Sequence, residues 1–419
     1  MIIWNGLRRN YGVPERIHIY MTDFQKDILA LLKAALLDIE PSVSPDINFE
    51  QVYRFAETQQ IVPAVYEGLM RLPRFQEHPV AQSFFQRFCV HVGHDADQRD
   101  TAERIFQGLE AEGLAYMPVK GVLLKTLYPS PEMRTMGDAD ILIRMEEYDR
   151  VRKVMESLGC TFQYESDHEY DWTTPTGLQI ELHKRLIPSY NRDYYAYYGD
   201  GWDFAHLCEG STCRYEMTAE DAFVYLFSHF AKHYRDQGVG VKYVVDFYLY
   251  LRAHPELERA YLEQEMKKLR LTEFFENIEY LIRVWFEDAP ATEISDYLTD
   301  KLFGDGVYGN SAYGVVSEGL KLSKEGGSVK KRKKRELFFP PYRSMSLRYP
   351  ILKHWAILLP LFWFIRLFDL ALHHRNRYQR AMDRLDHMSD ENIIRYQQEL
   401  NYVGLDYHFG GDDPPTKKK

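Results

Sequence analysis

The chain has 419 residues, of which 45% are hydrophobic and 27% charged, and its formal net charge is −10. That length exceeds one ordinary core and predicts at least two packed units, while the composition excludes a disordered or fibrous chain. The acidic balance argues against broad non-specific binding to nucleic acid, which needs a positive surface; only a local basic patch leaves that partner open.

From Asp23 to about Gly113 apolar residues recur at helical spacing, as in FQKDILALLKAALLDI and FEQVYRFAETQQIVPAVYEGLMRL, which predicts a helical N-terminal region over 1–113. Asn48 is a candidate cap ahead of Phe49, and Ser83 to Leu114 reads as one or two longer helices. At Leu114 the pattern changes: LAYMPVKG predicts a strand, Lys120-Gly121 a tight turn, and VLLKTLY a helix. DADILIRM alternates as a strand does, Glu146 to Leu158 is helical, and CTFQYES, EYDWTTP and LQIELHKRL read as three further strands. The centre, residues 114–214, is therefore α+β, a small mixed sheet flanked by helical regions on both sides.

From Met217 the helical period returns, with Thr218 as a cap and Asp221 three positions on, which predicts a helical domain over 215–303. Glycine and serine between Gly304 and Gly327 predict a connector over 304–336 that ends in the basic run Lys330 to Arg335. Residues 337–419 hold a hydrophobic segment, a last helix (ENIIRYQQELNYVG) and a polar tail expected to be disordered. The apolar stretch Trp355 to Ile365 is short, contains Pro360 and soon meets Arg366 and Asp369, so it is not expected to cross a bilayer. Burial against the helical domain is the leading expectation, and peripheral membrane contact through 330–372 is the alternative. The N-terminus has no signal-peptide pattern, and Cys89, Cys160, Cys208 and Cys213 lack disulfide or metal spacing. A cytoplasmic protein is expected, with attachment at the inner face of the membrane as its variant.

The chemistry-bearing residues lie in the centre. Asp138 and Asp140 are two apart in a strand, so both carboxylates point to one face, which suits a shared hard divalent cation such as Mg²⁺ or Mn²⁺. Such a site needs a third carboxylate on a neighbouring strand, and Glu181, which shares its face with His183 in LQIELHKRL, is the candidate. Lys120-Gly121, between a strand and a helix, stands where phosphate is received, and Arg134 has two options, balancing phosphate charge or pairing with an aspartate. His229 and His233 share a helix face, but Phe230 follows His229, so the HExxH zinc pattern is absent and no structural zinc is expected.

The stretch VKGVLLKTLYPSPEMRTMGDADILI, followed by IELHKRL, resembles the uncharacterised nucleotidyltransferase family of bacteria, within the DNA polymerase β-like superfamily. The pattern K-G, R-x-x-x-D-x-D, E-x-H matches at Lys120, Gly121, Arg134, Asp138, Asp140, Glu181 and His183. LFSHFAKHYRDQGVGVKYVVDFYLYL is similar to the family's H-x-x-K-H helix and downstream aspartate, here His229, Lys232, His233 and Asp246, and YPILKHWAILLPLFWFIRLF to its C-terminal hydrophobic segment. Lys-Gly stands where the wider superfamily has Gly-Ser.

The resemblance implies an enzyme that moves a nucleoside monophosphate from an NTP to an acceptor hydroxyl and releases pyrophosphate. Asp138, Asp140 and Glu181 would be the catalytic and metal residues; Lys120, Gly121, Arg134, His183, Lys232 and His233 would be the nucleotide-binding ones. Two other readings stand beside it: a non-catalytic nucleotide-binding or scaffolding protein, and a membrane-surface protein of a cell-envelope pathway. Neutralising either aspartate is expected to relieve like-charge repulsion and leave stability unchanged or raised. The nucleotide, the acceptor and the oligomeric state do not follow from the sequence.

Overall fold

The computed structural model describes residues 21–305, 314, 316, 317, 320, 329–373 and 390–405. The first helix, α1 (Asp23–Leu37), starts with a capping box in which Thr22 and Gln25 exchange hydrogen bonds, and it buries Ile28, Leu31 and Leu32. Asn48 caps α2 (Phe49–Thr58) by accepting from the Gln51 N–H, as its position suggests. The next helix, α3 (Val62–Leu69), crosses α1 closely because position 68 is glycine; a Cβ there would run into the Leu31 carbonyl. Residues Val80–Ala111 form one unbroken helix, α4, of 32 residues, whose buried Ala102, Ile105, Phe106 and Leu109 lie on one side near its C-terminal end.

Five strands follow: β1 (Tyr116–Val119), β2 (Asp138–Ile143), β3 (Thr161–Glu165), β4 (Glu169–Thr173) and β5 (Gln179–His183), with α5 (Tyr148–Ser157) between β2 and β3. Their order in the sheet is β1-β2-β5-β4-β3. Only β2 and β5 run parallel; the other three pairings are antiparallel, so the sheet is mixed as expected. The period of two divides the strands cleanly. Ala139, Ile141 and Ile143 of β2, Ile180 and Leu182 of β5, and Tyr170 and Trp172 of β4 join α4 and α5 in one apolar core. The residues that alternate with these face the opposite side. This is what lets one sheet carry both a core and a polar site.

Beyond the sheet come α6 (Arg192–Tyr198), α7 (Ala219–Asp236), α8 (Lys242–Ala253), α9 (Arg259–Lys268), α10 (Thr272–Phe286) and α11 (Glu293–Gly304). The Asp221 N–H donates to Thr218 Oγ1 at 3.0 Å, which caps α7 where the sequence placed a cap. Phe223, Phe227 and Phe230 of α7 pack on Phe274, Phe275 and Phe247, so much of the aromatic content is core. The four cysteines are free thiols.

The chain divides into two compact units, one holding residues 16–232 and 239–308 and the other holding 233–238 and 309–410. In the second unit the basic run is not a loop. It lies in α12 (Val329–Phe338), followed by α13 (Tyr342–Arg348), α14 (Leu359–His373) and α15 (Asp390–Tyr402). Most of the glycine-rich stretch expected as a connector, and the polar tail, lie outside the described residues. The expectation that the hydrophobic segment is buried fails on one face: Leu361, Phe364, Ile365 and Phe368 of α14 are exposed, because their helix is fastened to its surroundings by its other side. No helix among the described residues is long and apolar enough to cross a membrane.

Candidate active site

Parallel pairing of β2 with β5 sets Asp138 beside Gln179, Asp140 beside Glu181, and Leu142 beside His183. Asp138, Asp140, Glu181 and His183 therefore share the face turned away from the core. Asp140 is the hub: its Oδ1 accepts from Lys120 Nζ at 2.7 Å and lies 2.8 Å from His183 Nε2. The same imidazole nitrogen is 3.3 Å from Glu181 Oε2. Asp140, Glu181 and His183 each offer a ligand atom within 4.8 Å of the others, and His168, Glu169 and His183 form a second such group.

Charge is distributed unevenly over this face. Burial pushes the Asp140 carboxyl up, but the Lys120 ammonium and the His183 hydrogen bond outweigh it and hold Asp140 well below the usual carboxylate range. Asp138 has no such hydrogen bond among the described residues, and the Lys120 and Lys242 charges that act on it are outweighed. Burial, then the charges of Asp140 and Glu181, drive its carboxyl up to about 7. Burial and Lys120 would lower the His183 imidazole, yet its hydrogen bonds to Asp140 and Glu181 keep it above its ordinary value.

Lys120 reaches Asp140 from an uncommon backbone conformation, with φ 52° and ψ −115°. The sequence places the burden of this turn on Gly121; the structure places it on Lys120, at a cost of about 1–3 kcal/mol for a non-glycine residue. The Leu123 and Leu124 N–H groups donate to the Lys120 carbonyl and hold the turn. Glycine at 121 serves close packing instead, since a Cβ would come within 2.8 Å of Met136 Sδ. The following helix is the single turn Gly121–Leu124, too short for a useful dipole, so the Lys120 side chain supplies the positive charge.

Arg134 takes the pairing option. Its Nε and one terminal nitrogen donate to the two carboxylate oxygens of Asp246 on α8 at 2.8 and 2.9 Å, and the Tyr128 hydroxyl donates to the same carboxylate. Both partners of this bidentate pair are buried, so Arg134 fixes the segment that leads into Asp138 and its fork is turned to a protein carboxylate. Lys232 is buried on α7, about two turns beyond Tyr225, whose phenol is driven up by burial against the opposing Lys120 charge. His233 falls in the second unit, where its Nδ1 lies 2.6 Å from Gln237 Nε2.

Three groups on this side escaped the sequence reading. Asp171 stands opposite Glu181, and Glu169 opposite His183, in the antiparallel β4–β5 pair. Asp171 is 3% exposed and its Oδ1 has no hydrogen-bond partner among the described residues; burial, then Glu181 and Glu169, raise its carboxyl. The alternation in EYDWT, the same as in DADIL, was the legible signal for both. Lys242, at the start of α8, donates to the Thr135 carbonyl at 3.2 Å. Burial, then the Arg134 charge, lower its ammonium to about 8, and nothing in the sequence pointed to it.

The donor set fits a hard divalent cation. Five carboxylates, Asp138, Asp140, Glu169, Asp171 and Glu181, share this face with Lys120, Lys242, His183 and His168; one of them is forced towards neutrality, and among the described residues a buried carboxylate oxygen is left without a partner. Oxygen-rich sites of this kind are what Mg²⁺ and Mn²⁺ prefer.

The family model described as "Uncharacterised nucleotidyltransferase" matches residues 45–287. No curated protein matches the chain. Among solved structures, the solution structure of the antibiotic-resistance factor ANT(2'')-Ia is similar at 12% identity, covering 44% of this chain and 97% of that one, with a TM-score of 0.33.

Proposed function

Starting from the chain's membership of the uncharacterised nucleotidyltransferase family, we propose that it transfers a nucleoside monophosphate from an NTP to an acceptor hydroxyl, with Mg²⁺ or Mn²⁺ held by Asp138, Asp140 and Glu181. The observation that carries this reading is the β2–β5 register, which sets Glu181 beside Asp140 on the face that also bears Asp138. A divalent ion bound there supplies charge neutralisation for the triphosphate and activation of the attacking hydroxyl. The acceptor hydroxyl gives its proton to a carboxylate of this face, with Glu181 assigned, its oxygen bonds to the α-phosphorus, the bond from that phosphorus to the bridging oxygen breaks, and pyrophosphate leaves with the electron pair.

The chain's own residues divide this work. His183 clamps Asp140 and Glu181 in mutual register through one nitrogen. Lys120 and Lys242 are the lysines whose charges act on Asp138 and are assigned to the triphosphate, Lys120 by exchanging Asp140 for a phosphate oxygen. Lys232 is assigned to the nucleotide side with them. Arg134 is a positioning residue that acts through Asp246, and Gly121 permits the close packing beside it. His233 stays outside this assignment. The acceptor class is open among sugars, glycan precursors, small antibiotic-like molecules, protein side chains and RNA ends. The test is incubation with each labelled NTP, Mg²⁺ or Mn²⁺ and cell extract. Label transferred by the wild type and by neither Asp138→Asn nor Asp140→Asn supports the reading; transfer retained in either variant overturns the site.

A further inference from the structure

The second unit presents an exposed apolar face. On α14, Leu361, Phe364, Ile365 and Phe368 follow the i, i+3, i+4, i+7 spacing of one helical face and are 44–69% exposed. Ile357, at 84%, and Trp355, at 62%, continue the surface ahead of the helix. The other side of the helix is anchored. Trp363 Nε1 donates to the Pro340 carbonyl at 2.8 Å, an Arg366 terminal nitrogen donates to the Leu337 carbonyl at 2.7 Å, and Phe362 packs on Tyr349. The exposed side chains are thus held outward by a fixed framework.

That framework is basic. The anchors at Leu337 and Pro340 lie at the end of α12 and just beyond it, so the helix carrying the Lys330–Arg335 run is fastened directly to the apolar helix. Lys331, Lys334 and Arg335 are exposed. Between Lys330 and Phe368 the sequence has ten lysines and arginines and one acid, Glu336, in a chain whose net charge is −10. Such segregation of charge, next to exposed phenylalanine, isoleucine and tryptophan, matches an anionic lipid surface and no other occupant as closely. The 15 residues of α14 extend about 22 Å, short of the ~30 Å hydrocarbon core, so the helix can lie in the interface and cannot span it.

We propose that α12 and α14 form a peripheral docking surface for membranes rich in anionic lipid: the phenylalanine face enters the headgroup boundary while the basic helix engages the lipid charges. The two contributions act together, as stable attachment generally requires two signals. This is independent of the catalytic assignment, because no residue of the sheet takes part.

The experiment is co-sedimentation of the full chain with phosphatidylcholine vesicles and with vesicles in which a third of the lipid is phosphatidylserine, each at low and high salt. The wild type should bind the phosphatidylserine vesicles, and high salt should weaken that binding. Reversing charge in Lys331→Glu/Lys334→Glu/Arg335→Glu should lower partitioning by at least about a hundred-fold, roughly five-fold for each basic residue lost, before the repulsion of the added carboxylates. Phe364→Ser/Phe368→Ser should lower it by at least about ten-fold on both kinds of vesicle. All these side chains are exposed, so melting temperatures should match the wild type. No binding to phosphatidylserine vesicles at low salt, or binding that ignores both variants, overturns the proposal. Sedimentation velocity without lipid separates the rival occupant: a monomer supports the lipid assignment, and a dimer that Phe364→Ser/Phe368→Ser dissociates gives the face to a second copy and overturns it.

Discussion

Asp138→Asn and Asp140→Asn are the same chemical change two residues apart, and the structure makes them opposite in their effect on stability. Asp140 is 3% exposed and receives both Lys120, at 2.7 Å, and His183, at 2.8 Å. Asparagine there leaves a buried ammonium without its counter-charge, which costs about 3 kcal/mol. Asp138 is the reverse case. A rise from 3.8 to about 7 sets a ceiling of about 4 kcal/mol at about 1.4 kcal/mol per pH unit, and solvent screening at this half-buried position brings it nearer ~2 kcal/mol. The sign follows from proton counting: between pH 4 and 7 the folded protein keeps the Asp138 proton that the unfolded chain has lost, so stability falls as pH rises through that window. Asp138→Asn should therefore be more stable than the wild type above pH 7 and should lose that advantage towards pH 4, whereas Asp140→Asn should be less stable at neutral pH. Urea unfolding in the presence of a chelator, at several values from pH 4 to 8, reads both. Shifts of the same sign for the two variants at pH 8, or an advantage of Asp138→Asn that does not change with pH, would refute the charge distribution. Both variants should lose nucleotidyl transfer by orders of magnitude, since positioning and charge stabilisation carry phosphoryl-transfer catalysis.

Arg134→Met should cost about 3–5 kcal/mol by stranding buried Asp246, and Arg134→Met/Asp246→Leu should recover much of it in thermal unfolding; equal losses in the two would deny the pair its structural role. Asp171→Asn should hold or raise stability, because its carboxyl is buried without a partner, while weakening Mn²⁺ binding measured by calorimetry; unchanged Mn²⁺ affinity would place Asp171 outside the ion's surroundings. Gly121→Ala should destabilise by about 1–2 kcal/mol through overpacking against Met136 and the pinned Arg134, and a wild-type melting temperature would show that the loop yields freely.

What the sequence determined by itself was local and periodic. Alternation in DADIL and IELH put Asp138 with Asp140, and Glu181 with His183, on common faces before any partner strand was known, and helical spacing located α1, α2, α7 and α15 with their caps at Asn48 and Thr218. Such signals survive because backbone geometry repeats over two or 3.6 residues whatever the rest of the chain does. The tertiary structure decided what depends on residues far apart in the chain. Parallel pairing brings Glu181 to Asp140 across 41 positions, and the β4–β5 hairpin adds Asp171 to the same face. Arg134 finds Asp246 across 112 positions, which is the aspartate pairing of the two options the sequence left open. The positive-φ position of the turn is Lys120 and not Gly121, and the glycine serves close packing against Met136 instead. The C-terminal segment was visibly apolar in sequence, but hydrophobicity alone does not say which face is covered; that depends on where Trp363 and Arg366 find their carbonyl partners, and those partners leave Phe364 and Phe368 facing outward.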